Sequence, residues 1–199
     1  MSFNTPTLGG TLISIPSTRP IQRAAWAVAL VVVGVAIIGL SAQVRILLPF
    51  TPVPITGSTL GVLLVAAAYG SRLGSATVGA YMLAGIAGLP VFAGWKFGLA
   101  VITGATGGYI VGFFIASLVV GKLAESKWDR SPWLTIAAMV IGNVVIYACG
   151  VMVLSRFVGW GKVLPLGVTP FLIGDAIKIA LAAGIMPGAW WLKERGTPR

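Results

Sequence analysis

Long runs of apolar residues, separated by short polar or proline-rich segments, dominate this chain of 199 residues. A helix needs about 20 mainly apolar residues to cross a bilayer, and fewer where neighbouring helices cover it. By that measure the pattern predicts an all-α membrane protein with six transmembrane helices. Their expected ranges are 24–42, 59–69, 73–88, 102–123, 132–154 and 171–192.

The two ends of the chain lie outside these helices. Residues 1–22 are rich in Ser, Thr, Pro and Gly and predict a poorly ordered cytoplasmic tail. We expect no cleaved signal peptide, because the first apolar stretch begins late and continues as a full span. The predicted division is therefore an N-terminal tail at 1–22, a six-helix transmembrane domain at 23–193 and a cytoplasmic C-terminal tail at 194–199.

The amino-acid composition excludes several classes of protein. The chain is 57% hydrophobic and only 9% charged, whereas a soluble domain carries roughly 25% charged residues. A soluble enzyme or a nucleic-acid-binding domain is thereby excluded. One cysteine and no histidine argue against a disulfide framework, a Cys/His metal site and histidine-based catalysis. Since the sequence also lacks a P-loop motif, we expect neither enzymatic activity nor a cofactor.

The basic residues predict the orientation, because cytoplasmic loops carry an excess of Lys and Arg. With a cytoplasmic N-terminus, the inside segments hold Arg19, Arg23, Arg72, Lys122, Lys127, Arg130, Lys193, Arg195 and Arg199. The outside loops hold Arg45, Lys96, Arg156 and Lys162. This asymmetry places both termini in the cytoplasm.

Three predicted helices carry a small residue at every fourth position, which lets helix backbones approach closely within lipid. The repeats are Ala76, Ala80, Ala84 and Gly88; Gly104, Gly108, Gly112 and Ala116; and Ala176, Ala180, Gly184 and Gly188. Internal packing is favoured over a partner surface, and a ligand cavity between the outer ends of these helices stays open. Ala25 and Ala29 form a weaker step of this kind in the first helix, where internal packing is again the default.

One acidic residue, Asp175, lies within a predicted span, and Lys178 follows it three positions later. On a helix this spacing puts both side chains on one face, about 4.5 Å apart along the axis. A charge within the bilayer costs about 2.5–3.5 kcal/mol. Two interpretations remain: a structural ion pair, or a polar ligand anchor near the outer end of the sixth helix. The anchor is favoured, because apolar replacement of a buried pair often costs no stability.

The other polar residues receive simpler expectations. Glu125, Asp129 and Glu194 fall in cytoplasmic segments and are expected to be solvated. Asn143, in the middle of the fifth span, is expected to form an interhelical hydrogen bond. On the outer side, the proline-rich segment 43–56 should be stiff and extended. Between the third and fourth helices, an aromatic loop with Trp95 and Lys96 suits a lid, although interfacial anchoring explains Trp95 equally well.

Five short segments resemble the signature of the BioY biotin transporters, the substrate-binding S components of energy-coupling factor (ECF) transporters. They are Pro49-Phe-Thr-Pro-Val-Pro-Ile-Thr, Thr59-Leu-Gly-Val-Leu-Leu, Gly88-Leu-Pro-Val-Phe-Ala-Gly, Gly104-Ala-Thr-Gly-Gly-Tyr and Gly174-Asp-Ala-Ile-Lys. The resemblance covers about residues 24–192. The chain departs from many members at Ser58 and Ala105 and in its bulkier loop around Lys96.

The resemblance implies a six-helix S-component bundle that binds biotin in a pocket open to the outside. The ligand-binding residues would be Asp175, Lys178, Lys96, Tyr109 and Thr106. Biotin would be the transported ligand, and the protein would span the inner membrane of a prokaryotic cell several times, in contact with lipid and without nucleic acid.

The resemblance also implies partners, namely a transmembrane coupling subunit and ABC-type ATPases of an ECF module. It would move Ala25 and Ala29 from internal packing to the surface that docks the coupling subunit. Two alternatives remain. One is an S component for another small vitamin, and the other is a structural or assembly protein whose Asp175–Lys178 pair only fixes packing.

Overall fold

The computed structural model describes residues 7–13 and 20–196, and these residues are almost entirely helical. The helices are α1 (Leu8–Ile13), α2 (Pro20–Gln43), α3 (Ser58–Ile86), α4 (Leu99–Thr103), α5 (Gly107–Glu125), α6 (Pro132–Val158), α7 (Trp160–Gly167) and α8 (Leu172–Gly196). A short antiparallel ribbon, β1 (Arg45–Ile46) with β2 (Ile55–Thr56), closes the proline-rich segment. Within the described residues, five helical stretches are long and apolar enough to cross a membrane. The prediction of an all-α membrane protein is confirmed.

Helix α3 reverses direction at Gly70. This residue has φ +80° and ψ 178°, a conformation that glycine adopts far more readily than other residues. A β-carbon built on Gly74 would lie 2.9 Å from Cα of Ala66, whereas residues eight apart on a straight helix are about 12 Å apart. The two halves of α3 therefore lie side by side. The reversal falls where the sequence predicted the boundary between the second and third helices.

The other predicted bounds differ mainly around the fourth helix. The sequence predicted one helix over 102–123, but the structure has the short α4 and then α5, which begins at Gly107. Between them, Gly104 is extended, with φ −84° and ψ −173°. The first, fifth and sixth predicted helices correspond to α2, α6 and α8, each of which is longer than expected.

Helix α5 packs closely against α3 and α6, and its glycines explain why. A β-carbon on Gly112 would lie 2.9 Å from Cα of Ile146, and one on Gly121 would lie 2.5 Å from the backbone nitrogen of Ser71. Gly108 is packed equally closely against the carbonyl of Cys149. Internal packing is thus confirmed for the part of this repeat that lies in α5.

The repeat in α8 behaves differently. Ala176, Ala180 and Gly184 are exposed, and a β-carbon on Gly184 or Gly188 would meet no atom within 4 Å among the described residues. The expectation of internal packing is wrong here, because α8 turns another face to the bundle, with Ala182 and Met186 buried. Ala25 and Ala29 on α2 are likewise exposed, so the default of internal packing fails for them as well.

The end of the bundle opposite the β-ribbon is partly buried and polar. Glu125 accepts hydrogen bonds from the backbone nitrogen and hydroxyl of Ser71, at 2.9 and 2.7 Å. Asp129 is only 2% exposed and accepts a hydrogen bond of 2.5 Å from the indole of Trp190. Burial raises the pKa of Asp129 above its ordinary value. The expectation of solvated side chains is therefore wrong for Asp129 and incomplete for Glu125, while Glu194 is exposed as expected.

Part of the predicted N-terminal tail is also ordered. Residues Leu8–Ile13 form α1, which packs against α3 and α2, with Gly9 closely packed against Tyr69. For these residues the prediction of a poorly ordered tail is wrong. Residues 1–6 and 14–19 of that tail, and 197–199 of the C-terminal tail, lie outside the described residues.

Candidate ligand-binding cavity

A cavity of about 150 Å³ lies among α3, α5, α6 and α8, at the end of the bundle that carries the β-ribbon and the 87–98 loop. Its aromatic lining comprises Tyr81, Phe92, Tyr109, Phe113, Tyr147 and Phe171. Its polar lining comprises Arg45, Thr56, Ser58, Thr59, Lys96, Thr106, Asn143, Asp175 and Lys178. Few polar groups converging in an apolar, aromatic cavity are typical of a small-molecule site.

The structure brings all five predicted ligand-binding residues to this one cavity. Asp175, Lys178, Lys96, Tyr109 and Thr106 all contribute to its lining. They come from three separate parts of the chain, so their convergence is a property of the fold. Their contact with a ligand stays a prediction.

Asp175 and Lys178 form a largely buried ion pair in the lining of the cavity. Lys178 Nζ lies 2.9 Å from Asp175 Oδ1 and donates a second hydrogen bond of 2.9 Å to Thr59 Oγ1 on α3. The hydroxyl of Tyr147 on α6 donates to Asp175 Oδ2. Asp175 is 5% exposed and lies in the first turn of α8, where the helix dipole favours a carboxylate. The pair therefore joins α8 to α3 and α6 while it lines the cavity.

Tyr109 offers its ring, rather than its hydroxyl proton, to the cavity. The hydroxyl donates a hydrogen bond of 2.7 Å to the carbonyl of Gly167, and the ring fills the space beside Gly150 that a β-carbon would need. The ring of Phe171 lies next to it, with the centroids 6.4 Å apart. These contacts hold one apolar wall of the cavity in place.

The 87–98 loop is attached to the bundle at two points. Phe92 is 1% exposed and packs edge-on against Tyr81, with a centroid distance of 5.4 Å. Gln43 Oε1 accepts hydrogen bonds from the backbone nitrogens of Gly94 and Trp95, at 3.1 and 3.0 Å. Its Nε2 donates to the carbonyl of Phe92 at 3.2 Å. The loop thus forms a fixed side of the cavity, and Trp95 is largely exposed.

Two cations lie at the mouth. Lys96 and Arg45 are both exposed, and both line the cavity. The guanidinium of Arg45 occupies the space above Gly94, with Nη2 3.1 Å from the position of a β-carbon. Gly94 has φ +74°, so both its backbone and its surroundings suit glycine. From the sequence, Arg45 was expected only as an outside cation, and its place at the site was not predicted.

Tyr147 and Thr59 also belong to the cavity lining although the sequence did not predict them there. The structure differs as well from what was expected of Asn143. Asn143 is 7% exposed, and its Oδ1 has no hydrogen-bond partner within the part of the chain that the structure describes. The expected interhelical hydrogen bond is therefore wrong. A signal was present, because Asn143 and Tyr147 are four residues apart in an otherwise apolar span and so share one helix face.

Comparison with known proteins identifies a family. The model of the BioY family matches residues 15–195. The chain is 42% identical over 137 residues to the "Biotin transporter BioY" of Thermotoga maritima, covering 68% of this chain and 80% of that protein. It is 39% identical over 155 residues to the "Probable biotin transporter BioY" of Pyrococcus horikoshii, covering 78% and 90%.

A solved structure shares the fold. It is a crystal structure described as the S-component for biotin from an ECF-type ABC transporter, with a TM-score of 0.74. The match covers 90% of this chain and 96% of that one, at 24% sequence identity. At this identity the likeness establishes the fold of a membrane protein and leaves the site to be argued from its residues.

Proposed function

The chain belongs to the BioY family, and from that membership we propose that it binds biotin as the substrate-binding S component of an ECF-type transporter. It carries out no reaction on the ligand. The observation that carries the proposal is the arrangement of groups around the cavity. The Asp175–Lys178 pair is largely buried, aromatic side chains form the walls, and Arg45 and Lys96 are exposed at the mouth.

This arrangement suits the three parts of biotin. The ureido ring offers N–H donors and a carbonyl acceptor, which match a carboxylate and an ammonium with hydrogen-bonding capacity left. The thiophane ring is apolar and fits among Tyr109, Phe113 and Phe171. The valerate tail is anionic and reaches toward Arg45 and Lys96. Thr106, beside Tyr109, completes the set of proposed ligand contacts.

The distribution of basic residues supports the orientation of the cavity. Four cations, Arg45, Lys96, Arg156 and Lys162, lie in or beside the segments at the cavity end. Arg72, Lys122, Lys127, Arg130, Lys193 and Arg195 lie toward the opposite end. By the positive-inside rule, the cavity faces outward and both termini are cytoplasmic. Counting the two halves of α3 separately, the chain crosses the inner membrane of a prokaryotic cell six times.

We propose that the chain takes up biotin together with partners that hydrolyse ATP, in keeping with its membership of the BioY family. We assign that role to a transmembrane coupling subunit with ABC-type ATPases. The exposed Ala25 and Ala29 near the cytoplasmic end of α2 support a docking surface there, since small outward-facing residues let another helix approach closely. The surface is distant from the cavity, so docking and ligand binding are separable.

The test is ligand-dependent stability of the purified protein. A ligand that binds only the folded state raises the unfolding temperature, and the stabilisation grows with the logarithm of the ligand concentration divided by its Kd. We expect stabilisation by biotin and none by other small vitamins at the same concentration. The exposed Glu194→Gln variant serves as a matched control on α8, and it should respond as the wild type does. If only another vitamin stabilised the protein, that vitamin and not biotin would be its substrate. If no vitamin stabilised it, the proposed function would be wrong.

A further inference from the structure

The carboxylate of Asp175 in the cavity lining already has partners on both oxygens. Lys178 occupies Oδ1 at 2.9 Å, and Tyr147 donates to Oδ2. Lys178 also donates a second hydrogen bond, to the hydroxyl of Thr59. The pair therefore retains only part of its hydrogen-bonding capacity for a ligand, although each carboxylate oxygen accepts more than one bond.

Asn143 has the opposite property. It lies one helical turn before Tyr147 on α6, lines the same cavity and is 7% exposed. Its Oδ1 is enclosed and has no hydrogen-bond partner among the described residues. An unsatisfied buried polar group destabilises a fold, so the fold itself gains nothing from this amide.

We propose that Asn143 is a specificity-determining contact, whose side-chain amide donates a hydrogen bond from Nδ2 to the carbonyl oxygen of the ligand's ureido group. The inference rests on the proposed function. Of the two polar atoms of this amide, only Oδ1 is enclosed and without a partner among the described residues, so we assign the ligand contact to Nδ2. A cyclic urea offers two lone pairs on its oxygen, so it accepts from Asn143 and from the remaining proton of Lys178 together. Asp175 is left to receive the ureido N–H groups.

The test combines stability without ligand and affinity with ligand. Asn143→Leu keeps the branching of the side chain and removes its hydrogen bonds. We expect the purified, ligand-free variant to be at least as stable as the wild type, while its affinity for biotin falls by about 10-fold or more. Asn143→Ala provides a second variant with the same expected loss. Val144→Ala, on the exposed face of the same helix, should leave affinity unchanged.

Ligand analogues separate a direct contact from a packing effect. Dethiobiotin keeps the ureido group, so Asn143→Leu should weaken the binding of dethiobiotin by the same factor as the binding of biotin. The thiourea analogue of biotin has a sulfur in place of the carbonyl oxygen, and sulfur is a poor acceptor. Its binding should therefore change much less between the wild type and the variant.

Three results would overturn the inference. The first is a folded Asn143→Leu protein that binds biotin within twofold of the wild type. The second is an equal loss of affinity for biotin and for its thiourea analogue. The third is a marked loss of stability without ligand, which would give Asn143 a structural role. Failure of the proposed function looks different, because the wild type itself would then not bind biotin.

Discussion

The hydroxyl of Tyr147 on α6 donates a hydrogen bond to the carboxylate of Asp175 on α8. The same carboxylate pairs with Lys178, which reaches across to Thr59 on α3. Three helices are thus joined by one largely buried polar network in the lining of the cavity. Under the proposed function, packing and ligand recognition would depend on the same side chains, so their contributions have to be separated by substitution.

Asp175→Asn should lower biotin affinity by about 10-fold or more, because a hydrogen bond to a charged group contributes roughly 1.5–3 kcal/mol. The measurement is equilibrium binding to purified protein. Glu194→Gln also removes an acid from α8, at an exposed position, and should leave affinity unchanged. A folded Asp175→Asn protein with unaltered affinity would leave Asp175 with a structural role only.

Tyr147→Phe removes only the hydroxyl that joins α6 to α8. We expect it to destabilise the ligand-free protein by about 1.5–3 kcal/mol, since it deletes a hydrogen bond to a carboxylate that is 5% exposed. The free energy of unfolding in detergent measures this effect. The same substitution at Tyr69, whose hydroxyl has no hydrogen bond in the described part of the chain, provides the comparison. Equal stability of both variants would contradict the network.

Lys96→Ala should weaken binding of biotin more than binding of a biotin amide that lacks the carboxylate, because the cation lies at the mouth and would meet the anionic tail. The difference should shrink at high salt, since solvent ions screen exposed charges. Arg45→Ala should act in the same direction, because both side chains line the mouth. Lys162→Ala removes an exposed cation of α7 that does not line the cavity, and should have no effect. An equal loss of affinity for biotin and for its amide would contradict the proposal that these cations contact the carboxylate of biotin.

Ala29→Trp should leave biotin binding intact and weaken assembly with the coupling subunit, because a bulky side chain keeps another helix at a distance. Co-purification of the ECF complex measures assembly. Val140→Trp adds similar bulk at an exposed position of α6 that belongs to no small-residue repeat and should not interfere. Loss of biotin binding in Ala29→Trp would instead place this residue in the internal packing.

We expect the buried carboxyl group of Asp129 to make the stability of the protein depend on pH. Its pKa is raised by burial, so the folded state holds this proton more tightly than the unfolded state, in which the pKa is about 3.9. Stability should therefore fall as pH rises from about 4 through the raised folded-state pKa, and then level off. Asp129→Asn removes this dependence, so its stability relative to the wild type should grow over that pH interval.

The measurement is the unfolding temperature of both proteins as a function of pH. The chain has no histidine, which simplifies the comparison. Parallel curves for the two proteins would exclude this role for Asp129.

The amino-acid sequence by itself determined the class of protein and several local features. Apolar run length predicts membrane helices whatever their neighbours are, and the Lys and Arg count predicts orientation. The pairing of Asp175 with Lys178 follows from helix geometry alone, because residues three apart share a face. The boundary at Gly70 was also readable, since the apolar pattern breaks around it.

Only the tertiary structure decided which helix faces meet. Thr59 and Lys178 are 119 positions apart, and no local pattern specifies their contact. For the same reason the small-residue repeats of α5 and α8 look alike in sequence, yet one is packed and the other is exposed. Asp129 lies in a polar connection, but the indole of Trp190 covers it from 61 positions away. Burial depends on what the rest of the chain brings to a side chain, and that is settled when distant helices pack.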